Sequence, residues 1–240
     1  MKRYSPKTIA RVAGLFYLAV IVCGVFAEFF VRGKLMVSGN ATATTQNIMA
    51  SPDLFRLGFV SDLMMLSAFL LLAFTLYVLF KSLSKSLSLL FLLLVVISTA
   101  ILCLNMLNHL APLLMLTKGN YMAAFSGSQG EEQVLFFLDM HKNGYMIAQI
   151  FYGAWLFPLG YLTYKSSYFP KVLGILLMLG AVSYLTDFFI YFLLPNNYRT
   201  LSPIITLPVD IAEFSMCLWL LIKGVKTPKK NTSQPTLATA

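Results

Sequence analysis

Two histidines and nine carboxylates are the side chains of this 240-residue chain best suited to chemistry. His109, His141 and Asp187 offer two imidazoles and a carboxylate, the ligand types that hold a divalent metal. A catalytic zinc or iron site takes about three protein ligands and keeps a position open. On that pattern one alternative reading of the chain is a metal-dependent intramembrane hydrolase. The same groups suit a second chemistry, because buried carboxylates beside histidine form proton or cation relays. A third reading makes them hydrogen-bonding glue between helices. No H-x-x-x-H or H-E-x-x-H spacing ties the histidines to one helix face. There is no P-loop, no G-x-G-x-x-G after a strand and no G-x-S-x-G, so no motif fixes a cofactor. No nucleic-acid-binding module is present either.

The elements that must position these groups are set by composition. Hydrophobic types make up 58% of the chain and charged types 11%, and the mean hydropathy is +0.77. Soluble domains carry about 25% charged residues. The balance excludes a water-soluble globule, a coiled coil and a disulfide scaffold. It points to an all-α integral membrane protein whose main partner is the lipid bilayer. Cys23, Cys103 and Cys217 sit apart in apolar runs and read as packing residues.

A spanning helix needs about 20 apolar residues. Six stretches qualify, near residues 9–31, 54–80, 87–117, 133–163, 170–194 and 203–224. They predict one six-helix transmembrane domain over residues 1–226, with a disordered cytoplasmic tail over 227–240. Twelve of the 18 Lys and Arg residues fall on the side of the termini and the two short hairpin loops, among them Lys2, Arg3, Lys229 and Lys230. The positive-inside rule then predicts that both termini are cytoplasmic. The outer connections, 32–53 and 118–132, are longer than the inner ones.

On this topology the ionisable residues within the spans all fall in the outer half. Glu28 lies near the outer end of the first span and Asp62 two turns into the second. His109 lies about two turns from the outer end of the third span, Asp139 and His141 lie early in the fourth, Asp187 lies about two turns from the outer end of the fifth, and Asp210 and Glu213 lie in the sixth. Helical periodicity groups them. Ser98, Leu102, Asn105 and His109 share a stripe; so do His141, Tyr145, Gln149 and Tyr152; Gly180, Tyr184, Asp187 and Tyr191; and Thr206, Asp210, Glu213 and Cys217. Lipid cannot satisfy polar stripes, so they turn inward. Pro208 frees a backbone carbonyl near Asp210.

The expectation is one outward-facing ionisable pocket built from Glu28, Arg56, Asp62, Asn105, His109, His141, Tyr145, Asp187, Asp210 and Glu213. With more acids than bases, it should bind a cation or small polar ligand, for transport or sensing. A divalent metal would draw on His109, His141 and Asp187. Glu28 and Arg32, at i and i+4, are expected to pair, and Arg56 is expected to reach Asp62 or Glu28.

Several stretches carry a resemblance. Ala10–Leu35, Ser38–Leu63, LNMLNHLA (Leu104–Ala111), DMHKNGYMIAQIFYG (Asp139–Gly153) and Phe169–Asp187 together resemble the bacterial membrane family known as domain of unknown function 4386. Lys171 and Asn40 stand where that pattern has Arg and Asp. The resemblance extends to about Lys223. It implies a bacterial multi-pass protein of the cytoplasmic (inner) membrane and brings no activity with it. Glu28, Arg56, Asp62, His109, His141 and Asp187 lie inside the resembling segments; Asp210 and Glu213 lie outside them.

Overall fold

The computed structural model describes residues 5–122, 124–125 and 128–226. The tail from Thr227 and the basic residues Lys2, Arg3, Lys229 and Lys230 lie outside them. The described residues are helical, with no strand among them.

Helix α1 runs Pro6–Leu35. It opens on a Ser5 cap, whose Oγ accepts from the Thr8 amide at 3.2 Å, with proline at the next position. Both features favour a helix start. Across Phe26–Arg32 the helix widens into a π-helical turn. Such a turn inserts an extra residue and re-aims the side chains that follow. Helix α2, Ala41–Ala50, comes next, capped by Asn40 Oδ1 on the Ala43 amide at 2.9 Å. The sequence reading took this stretch only as a long outer connection. It is an amphipathic helix that turns Ala41, Thr44, Thr45 and Ile48 inward.

Helices α3 (Pro52–Phe80) and α4 (Lys85–Thr117) form a hairpin around the expected tight turn. The expected span 133–163 is helical but broken. It forms α5 (Gln129–Ala154) and α6 (Leu156–Lys165), joined at Trp155. Pro158 explains the break, since it cannot donate to the Ala154 carbonyl and its ring crowds that group. Helices α7 (Lys171–Leu193) and α8 (Pro195–Ile222) complete the bundle. Helix α8 starts eight residues before the expected 203, because Pro195 opens it. Pro203 and Pro208 are accommodated within it.

Five helices are long and apolar enough to cross a membrane: α1, α3, α4, α7 and α8. The sequence reading expected six spans. Helices α5 and α6 are not among the five, since α5 carries Glu131, Glu132, Asp139 and Lys142 in its first fourteen residues. The exposed surface of the five is apolar: Leu15, Phe74, Leu104, Leu107, Val172 and Leu218 are each more than half exposed. Water would penalise so continuous an apolar coat, whereas acyl chains accept it.

Helix α1 packs along α3 and α8, α4 along α3 and α5, and α7 along α5, α6 and α8. The main core centres on Tyr17, Leu72, Phe80, Phe91, Trp155, Leu177 and Met216. A second apolar cluster, with Val31, Leu35, Ile48, Phe55, Leu113 and Val134, seals the end beneath α2.

Candidate functional site

Two glycines set the geometry where α1, α3, α4 and α5 meet. A Cβ on Gly58 of α3 would lie 2.7 Å from Val31 Cγ1, so only glycine lets α1 approach this closely. The neighbour of Val31 is Arg32, and one turn beyond Gly58 is Asp62. The close approach therefore delivers the guanidinium to the carboxylate. Arg32 Nη1 donates to Asp62 Oδ2 at 2.5 Å and Nη2 to Oδ1 at 3.3 Å. Arg32 Nε donates to Glu28 Oε2 at 2.7 Å. The expected Glu28–Arg32 pair is thus present, and Ser61 Oγ pins the same interface by donating to Cys23 O at 3.0 Å.

Arg56 is not part of this network. It pairs with Asp53 at 2.6 Å on the surface, both groups largely exposed. Arg32 takes the role expected of Arg56, because the π turn in α1 faces α3 while Arg56 points away from it.

The second glycine is Gly144 of α5, where a Cβ would overlap the side chain of Asn105 on α4. Its absence lets Asn105 Nδ2 donate to the His141 carbonyl at 2.7 Å. His141 Nδ1 lies 3.4 Å from the Asn105 carbonyl and 3.3 Å from Asn105 Nδ2. Asn108 Nδ2 donates to Asn105 Oδ1 at 3.0 Å, holding that amide in place.

His109 is fully buried. Its ring stacks on Phe55 at 4.6 Å between centroids, lies near Phe59 at 6.2 Å, and meets His141 edge-on at 4.8 Å. Neither of its ring nitrogens has a hydrogen-bond partner among the described residues. One ligand atom each from Asp62, His109 and His141 falls within 4.8 Å of the others, and all three residues are buried. The group joins α3, α4 and α5, with Arg32 and Glu28 of α1 at its side.

Asp187, expected beside the histidines, is placed in a separate ladder. Its Oδ2 accepts from Gln149 Nε2 at 2.9 Å, and the same amide donates to the Tyr184 carbonyl at 2.9 Å. Tyr152 Oη donates to Gln149 Oε1 at 2.8 Å. Tyr184 and Tyr17 each donate to Glu213, at 3.1 Å. This ladder links α1, α5, α7 and α8. Tyr145 stands between the groups, its ring 5.5 Å from that of Tyr152. Asp210 is exposed on α8. The ten expected pocket residues therefore divide. Glu28, Asp62, Asn105, His109 and His141 share one cluster; Asp187 and Glu213 share the other; Arg56 and Asp210 belong to neither.

Arg32, Gln149, Tyr152, Tyr184 and Tyr17 are the residues of the two networks that the expected pocket left out. The i, i+4 relation of Glu28 and Arg32 was a usable signal for the first. Gln149 and Tyr152 lay on the inward stripe of α5 already drawn. Tyr17 gave no signal, being one aromatic ring in an apolar run.

The comparisons with known proteins fit this picture without adding an activity. An uncharacterized protein of Archaeoglobus fulgidus is 36% identical over 80 residues, which cover 33% of this chain and 46% of that protein. The matched stretch thus spans less than half of that relative. No solved structure matches the chain. The family described as domain of unknown function (DUF4386) matches residues 12–224, nearly the whole chain, and the protein belongs to it.

Proposed function

We propose that this protein is a six-span protein of the bacterial cytoplasmic membrane, with both termini in the cytoplasm, that binds a small cation or polar ligand near its outer face for transport or sensing. The sixth span is α5 continued by α6, whose combined length exceeds the roughly 20 residues a crossing needs. Helix α5 turns His141 and Gln149 into the bundle rather than toward lipid. Twelve of 18 basic residues lie on the side assigned to the cytoplasm, which supports the orientation.

One observation carries the binding reading: Asp62, Arg32, His109 and His141 are gathered at a helix junction closed to lipid. Ionisable groups within the membrane cost several kcal/mol and are kept where they pair or act. Arg32, Glu28 and Asp62 together carry a formal charge of about −1, which favours a cation over an anion.

The test is thermal unfolding of the full-length protein in detergent, titrated with sodium, potassium, magnesium, zinc, methylammonium and tetramethylammonium salts. The expected result is a saturable rise in midpoint with at least one of them, lost in Arg32→Gln/Asp62→Asn, which removes the pair without stranding a charge. Absence of stabilisation by every member of the panel would remove the reading.

A further inference from the structure

The orphaned nitrogens of His109 ask what they bind. A buried polar atom without a partner costs about 1–3 kcal/mol, and here two belong to one fully buried ring. The wall behind that ring is Phe55 and Phe59, which offer no acceptor. The ring edge instead shares a small volume with His141 and Asp62.

His141 is held in the manner of a ligand. Its Nδ1 faces the Asn105 carbonyl at 3.4 Å. The Asn105 side-chain amide nitrogen lies 3.3 Å from the same Nδ1. In the tautomer that donates Nδ1–H to the carbonyl, Nε2 presents a lone pair, the arrangement commonly found behind metal-bound histidine. Asp62 is oriented in turn by Arg32, which fixes both of its oxygens. Each of the three candidate ligands thus comes from a different helix. Two of them are positioned by neighbouring groups, and the third has nothing to bond.

We infer that Asp62, His109 and His141 form a binding site for one divalent transition-metal ion. The inference rests on the cation-binding reading and names its ligand class. Two imidazoles with one carboxylate suit zinc, cobalt, nickel, manganese or iron better than calcium or magnesium, which prefer oxygen. Two ligands on one zinc ion at about 2.1 Å each lie at most about 4.2 Å apart. The ligand atoms here fall within 4.8 Å of one another, so small side-chain rotations close the set. Three protein ligands leave a position for an exchangeable ligand. Asp187 is not a ligand, because it lies outside this group of atoms, in the ladder where its Oδ2 accepts from Gln149.

The experiment loads the full-length, detergent-purified protein with zinc or cobalt, removes free metal, and measures the metal content and the cobalt absorption spectrum. The expected wild-type result is about one ion per chain, with visible cobalt bands of imidazole and carboxylate ligation. His109→Phe keeps an aromatic ring against Phe55 while removing both nitrogens, and His141→Gln is the second variant. Each should lower metal affinity at least tenfold, and Asp187→Asn should bind as wild type. Retained wild-type affinity in both histidine variants overturns the inference, as does wild-type protein that takes up less than about a tenth of an ion per chain. If no divalent metal binds but a monovalent or amine cation stabilises the protein, this inference fails and the broader binding reading stands. If nothing in either experiment binds, both fail.

Discussion

Two polar clusters cross this apolar bundle, and they differ in how completely their members satisfy one another. In the ladder of Tyr17, Glu213, Tyr184, Gln149, Tyr152 and Asp187, the donors find acceptors at 2.8 to 3.1 Å. The cluster of Asp62, His109 and His141 is equally buried, yet His109 has no partner at either nitrogen. In the ladder Asp187 Oδ1 alone is without a partner among the described residues, so nearly every group in it serves the helix-to-helix attachment that lipid requires. The open imidazole of the other cluster is the feature on which the proposed cation site rests. The two lie on neighbouring parts of α5, whose inward stripe runs from His141 through Gln149 to Tyr152, so one helix contributes to both clusters at successive turns.

The comparison breaks most severely at Asp62. Asp62→Leu removes both bonds to the terminal nitrogens of Arg32, whose side chain is only 14% exposed, and leaves it Glu28 alone. Removing one partner of a buried pair costs about 3–5 kcal/mol. The variant should fail to accumulate in membranes or unfold far earlier in a denaturation series, and adding Arg32→Met should recover much of the loss.

Gly144→Val tests whether the helix approach creates the cluster. A side chain there runs into Asn105, and overpacking of this kind costs about 1–3 kcal/mol. Stability read by thermal unfolding should fall by that amount. Cation binding should fall with it, since the Asn105 contacts that hold His141 would be lost.

The ladder should respond least. Tyr184→Phe removes one hydrogen bond to Glu213 while Tyr17 keeps the other. Single interhelical hydrogen bonds in membranes average about 0.6 kcal/mol. A small drop in thermal midpoint with unchanged cation binding would separate the two regions cleanly. A loss of binding in this variant would merge them into one functional unit.

Much of the site was legible before any coordinates. The stripe Ser98–Leu102–Asn105–His109 is buried along its length, as periodicity and the intolerance of lipid for polar groups required. The Glu28–Arg32 pair followed from spacing along one helix. The partners across helices did not follow. Asp62 rather than Asp187 joins the histidines, and Arg32 rather than Arg56 joins Asp62. Arg56 and Asp187 were plausible by residue type and depth. They were displaced by rotations about helix axes that no single helix records.

The sequence alone determined what depends on one segment at a time: long apolar helices and which of their faces are polar. Transfer free energy and backbone hydrogen bonding act on each segment locally, so periodicity and composition carry that information. The tertiary structure decided which stripes meet, because helix contact depends on small residues such as Gly58 and Gly144 and on the π turn at Phe26–Arg32. In a bilayer every apolar face is equally content with lipid. The choice of neighbour then falls to close packing and a few hydrogen bonds, and these are properties of pairs of helices rather than of any one of them.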